Sequence, residues 1–566
     1  MERERAQAIR LLSQANRLRI NPSLANLRSF LEETHLDAIP YDTIQIVGTN
    51  GKTSTAVMTA AILSRLVGLD VCGGTRGGDA ITSDGARVGL FISPHVVHYG
   101  ERIALDGRSL SEDEFDRLIV EFFDRYHAEI EQFALTEFEI LTALAHWHFA
   151  RAHVQAVVYE AGVGGRLDAT TLVSEGGREV NWNSGHPDAS SSDCAPAHHV
   201  RLGALTSVGF DHMDLLGNTL DEIAYEKLAG FLNRRVILAD SVVGPARTAA
   251  IEAAVRARVT LDKPIVKVEY YEQLDDGLRA TLTSPAGSVR VRLSLSGEMF
   301  AFNAALAASI AWSYAAKRAD REGRTFEPEA VLEAILALES VRVRARFEEL
   351  SVKDLRASEC VDRVGHDRTD ETRKPTAGRK SARSPAAQEE LRELRDAKFS
   401  AGHTDREYSG EPGNLAGHER HRVIVDGSHN PQAVSEFVKT LSARYPRANP
   451  VFVFSFLKDK DGAAMLRAIT EGAKDGARII VVPLEGVGAR SLSREEAQDF
   501  AVEHGVGFAA SFEEAIRQAA QATEASQMAA ANKGSCVIAV TGSLYLAGAF
   551  LRWVGDAGAD SFTYYR

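Results

Sequence analysis

A glycine-rich turn with a lysine and hydroxyl side chains follows an apolar, β-branched stretch. The stretch Thr43–Val47 leads into the turn, and an apolar segment of helical character follows it. In such a strand–loop–helix unit, backbone N–H groups and the helix N-terminus face an anion, the lysine adds positive charge and a threonine can hold Mg²⁺. The turn is therefore predicted to bind the phosphates of a nucleoside triphosphate. Its predicted contacts are Gly48, Thr49, Asn50, Gly51, Lys52, Thr53 and Ser54.

This turn is a variant of the strict phosphate-loop pattern, which has a glycine six residues before the lysine. Ile46 occupies that position, and the first glycine is Gly48. An ordinary glycine turn between a strand and a helix is the competing interpretation. The hydroxyl residues and the helix that follow favour the phosphate loop.

Two more polar side chains stand at the ends of predicted strands. Glu160 ends Ala156–Glu160, and His212 lies just beyond Ala204–Val208. In a parallel sheet, ligands bind beyond the carboxyl ends of the strands, so both side chains are expected at the same edge as Thr53. A hydroxyl, a carboxylate and an imidazole there predict a magnesium site, in which histidine is the unusual ligand. A strand-end ion pair for Glu160 and a capped loop histidine for His212 remain the alternatives.

The rest of the first half alternates strand and helix patterns, with helices predicted over Ser111–Ile130 and Thr136–Ala150. This alternation indicates a mostly parallel α/β sheet covered on both faces, of the P-loop ATPase type. A small antiparallel patch is predicted next, followed by a helix over Asn303–Lys317. The strands of the patch are Ile265–Tyr270, Leu278–Leu282 and Val289–Leu295.

The second half repeats the α/β rhythm without a phosphate loop, which predicts a smaller, Rossmann-like α/β domain that assists the first. We predict an ATP-binding domain over residues 1–338 and a second domain over 339–566. Polar segments near 175–199 and 351–418 read as insertions, because they carry too few large apolar residues to offset their ordering entropy. The predicted strands of the second domain are His421–Asp426, Pro450–Phe454, Arg478–Val482 and Cys536–Thr541.

The bulk properties limit the classes of partner. A net charge of −13 over 566 residues argues against nucleic-acid binding, which needs a basic face. The charged start is unlike a signal peptide, and we expect no membrane-spanning run. The four cysteines are widely spaced, which favours a reducing compartment over disulfides or zinc. We therefore expect a cytoplasmic monomer that acts on small molecules.

Several long runs, in this order, make the chain resemble the folylpolyglutamate synthase and dihydrofolate synthase family, a branch of the Mur-type ATP-dependent amide ligases. The resemblance covers nearly the whole chain except the two insertions. The matching runs are Gly48–Thr55, Ile92–Ile103, Phe138–Leu144, Gly162–Thr170, Asp211–Lys227, Asp426–Pro431 and Thr541–Leu546.

The resemblance implies a ligase that uses ATP and Mg²⁺. Such an enzyme activates a pteroate or folate carboxylate as an acyl phosphate and joins it to L-glutamate. It has dihydrofolate synthase activity, folylpolyglutamate synthase activity or both. The run Arg166–Thr170 is more similar to family members with both activities.

The resemblance also implies residue roles around the phosphates. Lys52 binds the β- and γ-phosphates, while Thr53, Glu160 and His212 surround magnesium. Lys227 is the family's carbamylated lysine, which helps to hold a second metal ion. The implied catalytic set is Lys52, Lys227 and His429.

Substrate and nucleotide contacts follow from the same resemblance. The Ser93–Arg102 loop embraces the pterin-bearing substrate through Ser93, Pro94, His95 and Arg102, with Asp168 nearby. Asn303 and Arg346 form a nucleotide-contacting pair, one from each domain. Asp426 holds the ribose, and His429 approaches the phosphates from the second domain.

The sequence departs from the family pattern at three places. Met299-Phe300 replace the usual His-Gln, Ala345 replaces the glycine before Arg346, and Thr171 stands where asparagine often follows Asp-Ala-Thr. Two other functions stay open: a Mur-type ligase acting on a cell-wall nucleotide precursor, and a nucleotide-binding protein whose catalysis has decayed. The Ser93–Arg102 loop speaks against the first, and the intact phosphate and metal residues speak against the second.

Overall fold

The computed structural model describes residue 12 and residues 23–71, 87–175, 199–352, 421–473, 477–484, 487–530, 537–554 and 561–566. The two predicted insertions, at 175–199 and 351–418, lie almost entirely outside these described residues. The predicted domain boundary at residues 338 and 339 stays a prediction. Two apolar cores gather residues up to Val343, and one of these also includes Tyr564 and Tyr565; a third core gathers residues from Ala345 to Leu551.

Within the described residues, eight strands form one mostly parallel sheet in the order β4-β3-β2-β5-β1-β6-β7-β8. The strands are β1 (Asp42–Val47), β2 (Val88–Phe91), β3 (Ile103–Leu105), β4 (Arg108–Ser109), β5 (Ala156–Glu160), β6 (Arg201–Leu205), β7 (Arg235–Leu238) and β8 (Thr260–Asp262). The helices around it are α1 (Ala25–Glu33), α2 (Lys52–Val71), α3 (Glu112–Gln132), α4 (Glu137–Arg151), α5 (Ala169–Glu175), α6 (Met213–Leu216), α7 (Leu220–Leu228) and α8 (Gly244–Arg256).

The strand order places the phosphate loop at the centre of this sheet. β1 lies between β5 and β6 and runs parallel to both. Ile46 pairs with Glu160, and Val47 pairs with Leu205. The three strands therefore end at one edge, as the sequence predicts.

Local sequence explains where the predicted elements begin and end. Ser111 and Thr136 each form a capping box with the glutamate three residues later, which starts α3 and α4. β6 was predicted over Ala204–Val208 but ends at Leu205. The reason is that Thr206 and Ser207 turn their hydroxyls to the phosphate loop instead of extending the strand.

The predicted antiparallel patch is a three-stranded sheet in the order β11-β10-β9. It precedes a long apolar helix, α9, which packs against α2. By length and composition α9 could cross a membrane, but 67% of its apolar window is buried in the protein, as in a core helix. These elements are β9 (Lys267–Leu274), β10 (Gly277–Ser284), β11 (Gly287–Leu293), α9 (Glu298–Arg321) and the following α10 (Pro328–Ile335).

The second half forms its own sheet in the order β12-β13-β17-β14-β15-β16, parallel except for β12. Asn430 caps α11 and Pro431 is its first residue, as predicted. The strands are β12 (Glu348–Val352), β13 (His421–Val425), β14 (Val451–Phe454), β15 (Arg478–Val481), β16 (Gly507–Phe508) and β17 (Val537–Thr541). The helices are α11 (Pro431–Arg444), α12 (Gly462–Gly472), α13 (Arg494–Glu503), α14 (Phe512–Ala530) and α15 (Leu544–Trp553).

Candidate active site

The phosphate loop is packed tightly where its two glycines lie. A Cβ added at Gly48 would lie 1.9 Å from the Thr206 hydroxyl oxygen. Gly51 has a φ of +84°, and a Cβ there would lie 2.9 Å from Asn303 Oδ1. The loop therefore needs glycine at both positions, and α9 brings the predicted nucleotide residue Asn303 against it.

Two hydroxyl residues that follow β6 hold the loop. The Thr206 and Ser207 hydroxyls donate to the Asn50 carbonyl oxygen over 2.6 and 3.0 Å. The Asn50 N–H donates to Ser207 Oγ over 2.8 Å. The sequence analysis missed both residues, although a hydroxyl pair at the end of a parallel strand is a recognisable pattern.

Glu160 joins the phosphate loop to the Ser93–Arg102 loop. Its Oε1 accepts a hydrogen bond from the Thr53 hydroxyl over 2.8 Å, and its Oε2 accepts one from the Ser93 N–H over 3.1 Å. The residue is 2% exposed. Burial raises the pKa of Glu160, although Lys52, the two hydrogen bonds and Arg346 oppose this shift.

His212 faces the same electrostatic environment. Burial and the charges of Lys460 and Lys52 together lower the pKa of His212 to about 3, although Asp211 opposes this shift. The ring is therefore neutral at physiological pH and keeps a lone pair. The charge of Lys52 lowers the pKa of both Glu160 and His212, so both side chains lie within electrostatic range of this lysine.

Lys227 points at the phosphate loop from α7. It is 3% exposed, and its Nζ donates to the Gly48 carbonyl oxygen over 3.0 Å. Burial, together with the nearby charge of Lys52, lowers the pKa of Lys227 to about 7. A large fraction of this amine is therefore uncharged and nucleophilic near neutral pH.

The oxygen ligands fit a magnesium ion bound together with phosphates. Among the residues that the structure describes, no three His, Cys, Asp or Glu side chains are grouped to hold a metal alone. Mg²⁺ beside phosphates needs only one or two protein ligands. The Thr53 hydroxyl and the Glu160 carboxylate lie 2.8 Å apart and have the oxygen chemistry that such an ion prefers, and a cation there would stabilise the ionised form of the buried carboxylate.

The predicted substrate loop is prearranged by its own side chains. His95 Nδ1 accepts a hydrogen bond from Arg102 Nε over 3.0 Å. The His95 ring lies 4.3 Å from the Tyr99 ring, and the Arg102 guanidinium lies over Tyr99 at 5.5 Å. Ser93 and Pro94 begin the loop, where Ser93 contacts Glu160. Four of the predicted substrate residues therefore lie in one packed loop beside the phosphate site.

Asp168 orders the turn that carries it. Its Oδ2 accepts from the Val163 N–H over 3.0 Å, and its Oδ1 accepts from the Thr170 N–H over 3.0 Å and from the Thr170 hydroxyl. This turn also approaches Lys227, since a Cβ at Gly165 would lie 2.3 Å from the Lys227 carbonyl oxygen. The proposed substrate contact of Asp168 stays a prediction.

The second domain contributes Asp426, Arg346 and His429. Asp426 accepts from the N–H groups of Phe347 and Ser428, over 2.8 and 2.9 Å. Burial raises the pKa of Asp426, and the charge of Arg346 opposes this. His429 Nδ1 donates to the Gly427 carbonyl oxygen over 2.9 Å, which leaves Nε2 as the acceptor. Burial lowers the pKa of His429 to about 4.

Polar contacts close the two domains over the site. Asp211 Oδ1 is paired with Lys460, and both side chains are 6% exposed. Asn430 Nδ2 donates to Asn50 Oδ1 over 2.9 Å. Burial raises the pKa of Asp211, but the charges of His212, Lys460 and His429 outweigh it and lower this pKa. Lys460 was not predicted, because its role depends on a partner 249 residues away.

Comparisons with known proteins agree with this arrangement. A family profile described as "Mur ligase, glutamate ligase domain" matches residues 414–543. The structure of Mycobacterium tuberculosis folylpolyglutamate synthase complexed with ADP has a TM-score of 0.68 at 23% identity, over 98% of both chains, which shows the fold.

Curated relatives carry the same family name. The dihydrofolate synthase/folylpolyglutamate synthase of Bacillus subtilis is 29% identical over 229 residues, which are 40% of this chain and 43% of that relative. A probable bifunctional folylpolyglutamate synthase/dihydropteroate synthase of Halobacterium salinarum is 37% identical over 207 residues, 36% of this chain and 20% of the relative.

Over part of its sequence the chain is similar to members of the folylpolyglutamate synthase/dihydrofolate synthase family, and it shares the fold of a solved folylpolyglutamate synthase. It spans less than half the length of these curated relatives.

One departure from the family pattern has a measurable physical cost. Ala345 has a φ of +50°, in the left-handed region that favours the family's glycine. We expect Ala345→Gly to change the free energy of unfolding by less than about 1 kcal/mol. Relief of about 1–2 kcal/mol of backbone strain offsets the lost buried methyl and the greater entropy of the unfolded chain.

The matched control for this prediction is Ala497→Gly, at an equally buried position inside α13. It should destabilise the protein by about 2 kcal/mol, because no strain is relieved there. Chemical denaturation of both variants measures the difference. Equal losses of stability would contradict the argument from strain.

Proposed function

We propose that this protein is an ATP-dependent ligase that joins dihydropteroate, a reduced folate or both to L-glutamate. The observation that carries the proposal is the position of Glu160, whose two oxygens contact the phosphate loop and the Ser93–Arg102 loop. A carboxylate that is hydrogen-bonded to both loops suits a reaction between a triphosphate bound at one loop and a substrate acid bound at the other. The names of the curated relatives and the ADP of the solved relative support the same activity.

The first step converts a poor acylating agent into a good one. A carboxylate repels nucleophiles and has no good leaving group, and it must therefore be activated. In the first step its oxygen attacks the γ-phosphorus of ATP, ADP leaves, and an acyl phosphate forms. The neutral amine of glutamate then attacks the carbonyl carbon of the acyl phosphate. The C–N bond forms, the C–O bond to the phosphoryl group breaks, inorganic phosphate leaves, and the nitrogen gives up one proton to solvent to become the amide. Lys52 and the N-terminus of α2 stabilise the charge on the transferring phosphoryl oxygens.

The metal residues follow from the donor set. Thr53 and Glu160, with neutral His212, would hold Mg²⁺, and a carbamylated Lys227 would hold a second ion. When bound, Mg²⁺ supplies positive charge that neutralises the phosphoryl oxygens. Lys227 is suited to this modification because burial lowers the pKa of its amine to about 7, which leaves a substantial fraction uncharged at neutral pH.

His429 is proposed to orient the reacting groups from the second domain. Its Nε2 keeps a lone pair in the ligand-free protein, because Nδ1 donates to Gly427. Bound phosphates raise the pKa of a nearby imidazole, so the ring can gain charge as the triphosphate enters. Asn303, Arg346 and Asp426 are proposed nucleotide contacts, and closure of the domains excludes water from the acyl phosphate.

The proposed setting is the cytoplasm, with a monomer acting on small molecules and without nucleic acid or membrane. A second candidate function is a Mur-type ligase that extends a cell-wall nucleotide precursor, which the profile match over residues 414–543 favours. The packed His95–Arg102 loop favours the folate activity instead.

A phosphate-release assay decides between these functions. The protein receives ATP, Mg²⁺ and L-glutamate with dihydropteroate, with a reduced folate, or with a cell-wall nucleotide precursor. Release that requires both glutamate and a pterin acid supports the proposal. Release only with the precursor supports the Mur-type function, and no substrate-dependent release supports a binding protein.

A further inference from the structure

The segment Ser561–Arg566, which we name the strap, follows the second domain in the chain but packs against the first. The Ser109 N–H donates to the Phe562 carbonyl oxygen over 2.9 Å, and the Phe562 N–H donates to Ser109 Oγ over 2.8 Å. The Tyr564 N–H donates to the Gly107 carbonyl oxygen over 2.7 Å. The strap therefore lies along the edge of the first sheet at β4.

Two adjacent tyrosines of the strap bond to different parts of the first domain. The Tyr564 hydroxyl donates to the Glu101 carbonyl oxygen over 2.8 Å. The Tyr565 hydroxyl lies 3.0 Å from Ser64 Oγ, on the far half of α2 from the phosphate loop. Both tyrosines are buried. Only Tyr564 therefore touches the loop that the proposed function assigns to the substrate acid.

Glu101, the residue that Tyr564 holds, organises that loop. Its Oε2 accepts hydrogen bonds from the N–H groups of Val96 and Val97, over 2.7 and 3.2 Å. Its Oε1 lies 3.7 Å from Arg344 Nε, and the Arg344 guanidinium lies over the Phe562 ring at 4.5 Å. The strap thus fixes Glu101 through its backbone and through the arginine that neutralises it.

The same loop is held from the other side by the second domain. Arg552 on α15 donates to the Val97 carbonyl oxygen over 3.0 Å. Gly548 of α15 lies so close that an added Cβ would be 2.0 Å from the Val96 carbonyl oxygen. At its start the loop donates from Ser93 to Glu160. Displacement of Glu101 would therefore be transmitted to Val96 and Val97 and along the loop towards Ser93.

We propose that Tyr564 is a positioning residue that fixes the Ser93–Arg102 loop, and through it the substrate acid, by its hydrogen bond to Glu101. The proposal rests on the proposed function for the identity of the acid. The position of the loop can be measured without any substrate, so the two ideas can fail separately. Tyr564 touches no reacting atom and acts only through Glu101.

The test compares Tyr564→Phe with Tyr565→Phe in the full chain. Each change removes one buried hydroxyl from the strap and keeps the ring, so the losses of packing and stability are matched. Hydrogen–deuterium exchange of the peptide that contains Val96 and Val97 measures how well the Ser93–Arg102 loop is held in place. We expect severalfold faster exchange in Tyr564→Phe and wild-type exchange in Tyr565→Phe.

Steady-state kinetics supply the second readout. We expect Tyr564→Phe to raise the KM for dihydropteroate severalfold, with kcat and the KM for ATP within twofold of wild type, and Tyr565→Phe to change none of them. Equal exchange of the loop in the two variants would overturn the proposal. Faster exchange with an unchanged KM for dihydropteroate in an active enzyme would also overturn it. A wild-type protein inactive on pterin acids would refute the proposed function, while the exchange data would still decide the role of the strap.

Discussion

Replacing Glu160 by glutamine is expected to reduce turnover by at least about 10²–10³-fold, the scale seen when one preorganised electrostatic group is removed from an active site. The amide keeps the size of the side chain but loses the negative charge beside Thr53 and Lys52. The protein should nevertheless stay folded. Burial raises the pKa of Glu160, so its ionised form costs free energy in the ligand-free protein, and glutamine removes that cost.

The measurements are phosphate release and thermal unfolding, each with and without Mg²⁺ and ATP. Wild type should gain Tm when Mg²⁺ and ATP are added, and Glu160→Gln should gain less. The matched control is Glu139→Gln, a buried glutamate in the capping box of α4, where glutamine also serves. Turnover near wild type in Glu160→Gln would leave this residue as a strand-end group only.

Replacing Lys227 by methionine is expected to abolish most turnover, by at least about 10²-fold, because methionine cannot become a metal-binding carbamate. The Lys227 amine contacts the Gly48 carbonyl oxygen in the phosphate loop. We therefore expect the substitution to lower the turnover number. Turnover of wild type should fall in CO₂-free buffer and recover when bicarbonate is added. The variant should not respond to bicarbonate.

The pH dependence of stability gives an independent check on the state of Lys227. The pKa of this amine is about 7 in the folded protein, whereas the ordinary value for a lysine, which applies to the unfolded chain, is 10.5. The unfolded chain therefore binds more protons between these pH values, and the free energy of unfolding of unmodified wild type should rise with pH across that window. The cost of the buried amine is fully present below this window.

Lys227→Met lacks this cost, so in CO₂-free buffer its stability advantage over wild type should shrink as the pH rises from about 7 towards 10.5. Denaturant unfolding at several pH values measures the gap. Lys439→Arg, a change at an exposed lysine on α11, is the control and should follow wild type. A gap that does not change with pH would show that the amine is not held at a lowered pKa.

Much of the fold could be predicted from the sequence because its rules are local. Capping boxes at Ser111 and Thr136 mark helix starts, and Asn430 with Pro431 marks another. Apolar β-branched runs mark β1, which leads into the phosphate loop, and β5, which ends at Glu160. The end of β6 was predicted wrongly, because it depends on a hydrogen bond from Thr206 to a loop far away in the chain.

Site residues from different segments were predictable only as far as strand ends share an edge. That rule brings Glu160 and His212 towards Lys52, and the structure agrees. The shared edge of the strands does not reveal that Asp211 pairs with Lys460. It also does not reveal that the Asp168 carboxylate accepts hydrogen bonds from N–H groups of its own turn. Those facts depend on how two domains pack and how one turn folds back.

The sequence by itself determined the chemistry that is available: a phosphate loop, a strand-end carboxylate, a lysine on a capped helix and a histidine on the second domain. Residue type and spacing are enough for this, because strands and helices obey short-range rules. The tertiary structure alone decided the protonation and the connections of these groups. Burial lowers the pKa of Lys227, and Tyr564 reaches Glu101 across 463 residues, because both depend on neighbours that the chain brings together only when it folds.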